Sequence, residues 1–346
     1  MIDNLVRENI KRLKPYTSAR ESFEKGILLD ANENPFGAVI ESDLELNRYP
    51  DPKQKEVRTR LGEVLGVASE NLFFGVGSDE IIDLLIRIFC TPQKDEVMIL
   101  EPTYGMYKVA CDINDVKTSH VMLDENFQID FNAIRNAWNE NTKLIFLCNP
   151  NNPTGNLIDP HDILQLCSKY NSIIIVDEAY IDFANGCSLK DEVGKINNLV
   201  ILRTFSKAWG LAGIRAGYCI ANSEIISYLF KIKAPYNLNK LTSKTILDAL
   251  DNYSTMQQNV VLINAERIRL ISELQNLTGI IKICTSHANF VLVKFENAEK
   301  VFNYLISKNV IIRNRSNMPG LQDCLRITIG TKEENDFLLI KLREIL

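Results

Sequence analysis

Lys207 stands in a sequence setting that suits covalent chemistry. It lies in the segment Thr204–Arg215, which follows the apolar run Leu199–Leu202. A short apolar run of this kind predicts a buried strand, and ligands of α/β proteins bind where such strands end. A lysine amine at that position can act as a nucleophile or a base once it is partly desolvated. The segment alone is equally compatible with a solvated surface lysine.

Three more predicted strands end next to polar or aromatic side chains. Asp177 ends the apolar run Ile173–Val176, and a carboxylate buried there needs a partner. Tyr104 follows the predicted strand 97–100, where its ring could stack on a planar ligand or simply pack on the protein. Asn152 lies in the loop after a further predicted strand. Taken singly, each of these side chains also fits a purely structural role.

The segment 75–80 predicts an anion site. A predicted strand leads through Gly75 and Gly77 into a predicted helix whose apolar residues begin at Ile81. Free N–H groups at a helix start, together with the positive end of the helix dipole, bind anions. The third glycine of a dinucleotide fingerprint is missing, so a single phosphate is the better expectation. A structural strand–helix turn has a similar sequence.

Alternation of strands and helices organises these segments. Between about residues 72 and 230, apolar runs alternate with helical patterns, which predicts an α/β fold with a doubly wound, mostly parallel sheet. Helical stretches follow over 241–276. The pattern over 280–346 then predicts a smaller α+β unit, with strands at 290–293, 310–313 and 325–329 and helices at 298–308 and 333–346.

Composition narrows the function classes. The chain has 346 residues, of which 46% are hydrophobic and 24% charged, and its net charge is −5. These values are ordinary for a globular enzyme, and the lack of a basic tract argues against a nucleic-acid partner. No apolar run approaches the ~20 residues of a membrane span, and the first residues lack the apolar core of a signal peptide.

The cysteines and histidines argue against a metal site. None of the eight cysteines forms a Cys-x-x-Cys pair, and the three histidines share no ligand spacing. Scattered cysteines among apolar neighbours are typical of free thiols in a reducing compartment. We therefore expect a cytoplasmic protein without a metal centre.

Three motifs carry a family resemblance. Ser206-Lys207 with Gly210–Tyr218, the loop Asn149–Gly155 and the segment Val176–Tyr180 are similar, in sequence and in chain order, to cofactor segments of the aspartate-aminotransferase-like enzymes. That family has fold type I and uses pyridoxal 5′-phosphate (PLP). The resemblance extends from about Asp30 to Gly330. Within the family, the chain is most similar to the histidinol-phosphate branch.

The resemblance implies a role for each cofactor residue. Lys207 would hold the aldehyde of the cofactor and later move a proton, and Asp177 would keep the ring nitrogen protonated. Tyr104 would stack on the ring, while Asn152 and Tyr180 would donate hydrogen bonds to its phenolic oxygen.

The phosphate of the cofactor would be held from several elements. The resemblance assigns it to residues that offer main-chain N–H groups, hydroxyls or a guanidinium: Ser78, Asp79, Glu80, Ser206, Arg215 and Tyr49. In this family the tyrosine comes from a neighbouring subunit, which implies a homodimer with shared active sites. The turn Arg48–Pro52 contains two prolines that hold it extended. The alternative is that Tyr49 packs on its own subunit.

The substrate would be bound by arginines. Arg326 matches the substrate-anion arginine of the family, and Arg313 and Tyr16 match additional phosphate-binding positions of the histidinol-phosphate branch. Arg315 is an alternative to Arg313. Each arginine taken alone also fits a surface ion pair.

The implied reaction is a transamination in histidine biosynthesis. L-Histidinol phosphate and 2-oxoglutarate would give imidazole acetol phosphate and L-glutamate. The alternatives are an aromatic-amino-acid aminotransferase and a phosphothreonine decarboxylase of the same fold. A PLP-like sensing domain of a transcription regulator would need a DNA-binding segment, for which the first thirty residues are too few and not basic enough. A silent scaffold is disfavoured because the cofactor residues are present.

The resemblance also implies a division of the chain. An N-terminal arm at 1–45 would join the small domain, a large PLP-binding domain would occupy 46–255, and a small C-terminal α+β domain would occupy 256–346.

Overall fold

A seven-stranded sheet forms the centre of the molecule. The computed structural model describes residues 2–23 and 25–346. The sheet has the strand order β1-β7-β6-β5-β4-β2-β3, and its strands are β1 (Leu72–Val76), β2 (Glu96–Glu101), β3 (Lys117–Met122), β4 (Thr142–Cys148), β5 (Ile173–Asp177), β6 (Leu199–Thr204) and β7 (Ala216–Ala221). Strand β7 pairs antiparallel with β1 and β6, whereas the other pairs are parallel. The predicted α/β fold class is confirmed.

Helices cover both faces of this sheet and one face of a second one. They are α1 (Ile2–Leu5), α2 (Glu8–Arg12), α3 (Ala19–Ser22), α4 (Lys55–Leu65), α5 (Gly77–Phe89), α6 (Met106–Ile113), α7 (Phe131–Ala137), α8 (Pro160–Lys169), α9 (Ser223–Ile232), α10 (Lys240–Asp251), α11 (Tyr253–Leu274), α12 (Ala298–Ser307) and α13 (Lys332–Ile345). Short 3₁₀ turns occupy Ser69–Asn71, Ile181–Phe183, Lys190–Glu192 and Ala212–Ile214. None of the helices in the described part of the chain is long and apolar enough to span a bilayer.

Strand β5 shows why the central strands are continuously apolar. Successive side chains of a strand point to opposite faces of the sheet. Ile173 and Ile175 pack into the core on one face, and Ile174 and Val176 pack into the core on the other. Because helices cover both faces, every position of the strand is buried.

The second sheet has four antiparallel strands. Its order is β10-β11-β9-β8, with strands β8 (Ile280–Ile283), β9 (Phe290–Phe295), β10 (Arg313–Asn314) and β11 (Cys324–Thr328). Apolar side chains of β9 and β11 pack against α11, α12 and α13. This is the smaller α+β unit that the sequence predicts.

Two details of that unit differ from the prediction. The strand predicted at 310–313 is limited to β10, because Val310 and Ile312 pack against the small core without pairing to a neighbouring strand. Strand β8 is absent from the sequence prediction. Its central residues Ile281 and Lys282 are exposed, and Lys282 interrupts the apolar residues. The segment therefore lacks the continuous apolar run that predicts a buried strand.

The first helices pack on the large sheet. Ile2 and Ile10 are buried in the core that covers one face of that sheet, and the N–H of Arg7 donates to the carbonyl of Ile88 at 3.0 Å. These residues contact the large sheet, and the expectation that the arm 1–45 joins the small domain stays a prediction. The boundaries near residues 45 and 255 stay predictions.

Candidate active site

A cavity of about 160 Å³ opens at the carboxyl ends of β4, β5 and β6. Nine of the eleven residues predicted to bind or hold the cofactor line it, namely Ser78, Asp79, Tyr104, Asn152, Asp177, Tyr180, Ser206, Lys207 and Arg215. Cys148, Ala179, Thr204 and Ala212 complete the lining. The sheet thus brings together side chains that are up to 137 positions apart in sequence, from Ser78 to Arg215.

Asp177 is a buried carboxylate held by neutral donors. Its Oδ2 accepts a hydrogen bond from the hydroxyl of Tyr107 at 2.7 Å, and its Oδ1 accepts one from the N–H of Ala179 at 3.0 Å. Burial raises the pKa of Asp177 to about 6, although both hydrogen bonds oppose the rise. Within the described chain no cationic nitrogen lies within 4.0 Å of it. The carboxylate can therefore accept a charged N–H from a ligand.

Tyr107 is a site residue that sequence reasoning misses. It lies on α6 and is fully buried, and its ring stacks on Phe146 at 4.8 Å. Nothing in the sequence distinguishes it from a core aromatic, because its role depends on the fold that brings α6 over the end of β5. Its hydroxyl fixes the orientation of the Asp177 carboxylate.

Lys207 reaches into the cavity with its amine. Its Nζ lies 5.6 Å from the centroid of the Tyr180 ring. Partial desolvation of the amine, and then the positive charges of Arg326 and Arg215, lower the pKa of Lys207, while Asp177 opposes this effect. The residue stays exposed to the open cavity. A larger share of neutral amine at neutral pH makes Lys207 a better nucleophile and base.

A chain of hydrogen bonds joins the two sheets at the cavity. Nδ2 of Asn152 donates to the hydroxyl of Tyr180 at 3.4 Å, and Oδ1 of Asn152 accepts from Nη1 of Arg326 at 2.5 Å. Arg326 lies on β11, and its guanidinium is 5.1 Å from the centroid of the Phe290 ring. Burial raises the pKa of Tyr180, so its hydroxyl remains a donor.

The start of α5 forms the anion end of the cavity. Gly77 has a φ of +75°, which favours glycine, and its N–H donates to the carbonyl of Arg215 at 2.9 Å. A Cβ atom on Gly217 would lie 2.3 Å from the main-chain nitrogen of Ser78. Glycine at 217 therefore lets β7 pack directly against the first turn of α5, whose N–H groups have no partners inside the helix.

Asp79 contacts both Arg215 and Tyr104 at the anion end of the cavity. Its Oδ2 lies 3.3 Å from Nη2 of Arg215, and its Oδ1 accepts from the hydroxyl of Tyr104 at 3.4 Å. Burial, together with the charge of Asp79, raises the pKa of Tyr104 to about 12. The N–H of Ser206 donates to Oγ1 of Thr204 at 3.0 Å, which holds the turn before Lys207.

Five predicted site residues do not line the cavity, namely Glu80, Tyr49, Tyr16, Arg313 and Arg326. The carboxylate of Glu80 accepts from the N–H of Val76, so only its main-chain N–H can serve the predicted role. Tyr49 is 48% exposed and stacks on Tyr236 with 4.4 Å between ring centroids. Tyr16 is 75% exposed and lines a separate cavity of about 620 Å³. The role of each predicted site residue, inside or outside the cavity, stays a prediction.

The residues of the cavity fit PLP. The cofactor needs an amine for its aldehyde, an acceptor for its ring N–H, donors for its phenolic oxygen and cations for its phosphate. The cavity offers an amine of lowered pKa, a buried carboxylate without a cation, two polar side chains and a helix start beside a guanidinium. Within residues 2–23 and 25–346, no group of three or more side chains could hold a metal ion.

Comparison with protein families identifies the chain. The family model for aminotransferase class I and II matches residues 24–342.

The chain belongs to the class I and II aminotransferases.

Comparisons with individual proteins give the same family. The chain is 46% identical over 344 residues to a histidinol-phosphate aminotransferase from Cytophaga hutchinsonii, which covers 99% of this chain and 98% of that protein. It is 29% identical to the crystal structure of the histidinol-phosphate aminotransferase from Clostridium acetobutylicum, with a TM-score of 0.79 over 87% of this chain and 91% of that one. Its fold also matches that of the Sinorhizobium meliloti histidinol-phosphate aminotransferase in complex with pyridoxal-5′-phosphate, at 23% identity, a TM-score of 0.79 and coverage of 91% and 89%.

The predicted enzyme class and cofactor are thereby confirmed. This aminotransferase uses PLP, which supplies an aldehyde for amino groups and a ring that accepts electrons. The protein contributes the binding, the orientation and the proton transfers.

Proposed function

We propose that this aminotransferase transfers the amino group of L-histidinol phosphate to 2-oxoglutarate. The products are imidazole acetol phosphate and L-glutamate, and the reaction belongs to histidine biosynthesis. The observation that carries the proposal is the guanidinium of Arg326, which reaches the Lys207 cavity through Asn152 and has Arg313 opposite it on β10. Two arginines in this position suit a phosphate, and the full-length relatives bear the name of this enzyme.

In this proposal each cavity residue has one task. Lys207 would hold the aldehyde of the cofactor with its amine and would later move a proton on the substrate. Asp177 would accept the ring N–H, Tyr104 would stack on the ring, and Asn152 and Tyr180 would donate to the phenolic oxygen. The phosphate would be held by main-chain N–H groups and polar side chains, which are those of Ser78, Asp79, Glu80, Ser206 and Arg215.

The substrate phosphate is assigned to Arg313 and Arg326, with Tyr16 as a further donor. Arg313 is exposed and lies directly opposite Arg326 in the register of β10 and β11. Side chains of directly opposite residues share one face of a sheet, so both guanidinium groups can reach one anion.

The proposal includes a homodimer with shared active sites. Tyr49 lies in a cavity other than that of Lys207, and the residues before it include exposed apolar side chains such as Phe36 and Val39, which are 96% and 98% exposed. A partner subunit would cover them and receive Tyr49 beside its cofactor phosphate. A cytoplasmic location is part of the proposal, because all eight cysteines are free.

A half-reaction titration tests the proposed substrate. The holoenzyme is mixed with L-histidinol phosphate, L-phenylalanine or L-phosphothreonine, and the absorbance of the cofactor is followed. We expect conversion to the amine form at the lowest concentration with L-histidinol phosphate, and recovery of the aldehyde form with 2-oxoglutarate. A preference for L-phenylalanine would support the aromatic alternative, and release of carbon dioxide from L-phosphothreonine would support the decarboxylase.

A further inference from the structure

A basic cavity lies at the opposite end of α5 from the PLP cavity. It has a volume of about 620 Å³, and no described residue lines both cavities. The first turn of α5 contributes Ser78 to the PLP cavity, whereas the end of the helix contributes Arg87 to the basic cavity. A helix rises 1.5 Å per residue, so about 13 Å of helix separates these two positions. Parts of the N-terminal arm, of α4 and of the end of α9 form the other walls.

Positive charge is concentrated in the basic cavity. Seven of its lining residues are Lys or Arg and one is Glu, although the whole chain has a net charge of −5. Lys53 pairs with that Glu21 at 3.8 Å, and Arg87 pairs with Asp83 at 2.9 Å. In the described part of the chain, the other five cations have no Asp or Glu oxygen within 4.0 Å. They are Arg7, Lys14, Arg58, Lys231 and Lys233.

Main-chain carbonyls satisfy hydrogen bonds of these cations without neutralising them. Nη1 of Arg7 donates to the carbonyl of Arg87 at 2.9 Å, and Nζ of Lys233 donates to the carbonyls of Ala234 and Pro235. Burial lowers the pKa of Lys233 to about 8, so its amine is still mostly protonated at neutral pH. A carbonyl carries only a partial charge, and the mutual repulsion of the five cations therefore remains.

Two buried polar groups of the basic cavity have donors that nothing accepts. Nε of Arg7 is buried and has no hydrogen-bond partner in the described chain. Ser18 is 2% exposed, and its hydroxyl donates to no acceptor there. Both residues line the cavity. Buried polar groups in native proteins are nearly always paired. Unused donors beside uncompensated cations indicate that an anionic ligand supplies the missing acceptors.

We propose that the basic cavity binds a metabolite that carries a diphosphate or triphosphate group. Phosphate oxygens accept hydrogen bonds from the guanidinium, ammonium and hydroxyl groups that line it. One phosphate monoester carries about −1.5 to −2 charge, which would leave more than half of the five positive charges unmatched. Two or three linked phosphates match them better.

The basic cavity also has room for an organic group. Its volume of about 620 Å³ lies within the roughly 300–1,000 Å³ of small-molecule sites. Ile10, Leu13 and Ile232 give it apolar surface. Among its described lining residues, only Tyr16 has a proposed task in the transamination. The site can therefore be tested separately from the proposed substrate.

Calorimetry of the PLP-loaded enzyme tests the proposal. In metal-free buffer we expect ADP and pyrophosphate to bind and adenosine not to bind. Arg7→Gln should weaken ADP binding about ten- to hundredfold, as for loss of a charged hydrogen bond, and Ser18→Ala about two- to tenfold, as for a neutral one. Lys14→Gln changes an exposed side chain, leaves the core intact and should cause a smaller loss. Arg343→Gln on α13, where the arginine pairs with Glu273, is the control and should bind ADP as the wild type does.

Hydrogen–deuterium exchange of the same holoenzyme locates the bound ADP. Exchange should slow in peptides that cover residues 7–21 and 229–235, and it should stay unchanged in those that cover 204–215. Slower exchange around Lys207 instead, unchanged affinity in both Arg7→Gln and Ser18→Ala, binding of adenosine, or no binding of ADP and pyrophosphate would each overturn the proposal. None of these outcomes depends on the amino donor, so the proposed substrate can fail while this site stands.

Discussion

At the scale of single residues, the chemistry of Lys207 depends on what surrounds its amine. Desolvation and the guanidinium groups of Arg326 and Arg215 lower its pKa. Lys233 also has a lowered pKa, of about 8, but its Nζ donates to the carbonyls of Ala234 and Pro235. A lowered pKa therefore does not by itself single out a cofactor lysine, and the proposal for Lys207 rests on its position beside Asp177 and Tyr180.

Borohydride reduction distinguishes the two lysines. We expect reduction of the yellow holoenzyme to fix the mass of the cofactor to the peptide that contains Lys207. Lys207→Arg should abolish the label because a guanidinium cannot bind the aldehyde, and Lys233→Arg should retain it. Mass spectrometry of the digested protein gives the position, and a label on any other lysine would refute the assignment.

The raised pKa of Asp177 should make the stability of the cofactor-free protein depend on pH. Its ordinary pKa of 3.8 is raised to about 6 in the folded chain. Between these values the folded chain keeps a proton that the unfolded chain has lost, so this group makes stability fall as the pH rises. The full loss of unfolding free energy is on the order of 3 kcal/mol. It is present when the pH is above the pKa of the folded chain and absent when the pH is below the pKa of the unfolded chain.

Asp177→Asn removes this titration. The unfolding free energy of the variant relative to wild type should therefore increase as the pH rises from about 4 to about 7. Urea unfolding at several pH values measures it. Asp191→Asn, which changes an exposed carboxylate paired with Lys190, is the control. If the difference in unfolding free energy between variant and wild type stays constant over this pH range, the pKa of Asp177 is not raised in the folded chain.

At the scale of elements, the cavity depends on the contact between β7 and the start of α5. A Cβ atom at Gly217 would meet main-chain atoms of Gly77 and Ser78 at 2.5 Å or less. Gly217→Ala must push strand and helix apart, and we expect a loss of about 1–3 kcal/mol of stability with weaker PLP retention. Gly213→Ala is the control, because nothing lies within 4 Å of a Cβ atom there. Thermal unfolding and cofactor absorbance measure both effects, and equal behaviour of the two variants would count against this contact.

The strands and the residues of the site differ in how far the sequence alone could predict them. Strand β5 was predictable because both of its faces are covered, which makes every residue apolar. The reversed direction of β7 was not, since parallel and antiparallel central strands have the same apolar pattern. Tyr107 could not be assigned either, because its contact with Asp177 joins positions 70 residues apart. Motifs that lie within one loop, such as the segment around Lys207, depend least on the fold and were the most predictable.

At the scale of the whole molecule, the segment before Tyr49 is hard to explain in a single chain. Ile27, Phe36 and Val39 are more than 90% exposed, and Tyr49 stacks on Tyr236 away from the Lys207 cavity. Exposed apolar side chains in one segment are typical of a surface that a partner covers. A two-fold dimer would exchange the segment reciprocally and place each Tyr49 beside the cavity of the other subunit.

Mixed dimers test whether Tyr49 acts across that interface. Tyr49→Ala alone should bind PLP more weakly, because a hydrogen bond to a charged phosphate is worth about 1.5–3 kcal/mol, and Lys207→Ala alone should be nearly inactive. The two variants are mixed, unfolded and refolded together. In a mixed dimer, the Tyr49→Ala chain keeps its own Lys207 and receives an intact tyrosine from the other chain, so one site is restored while the second carries both defects. At limiting PLP the mixture should then exceed the average of its parents. If Tyr49 serves its own chain, no intact site can form, and the refolded mixture will show only that average.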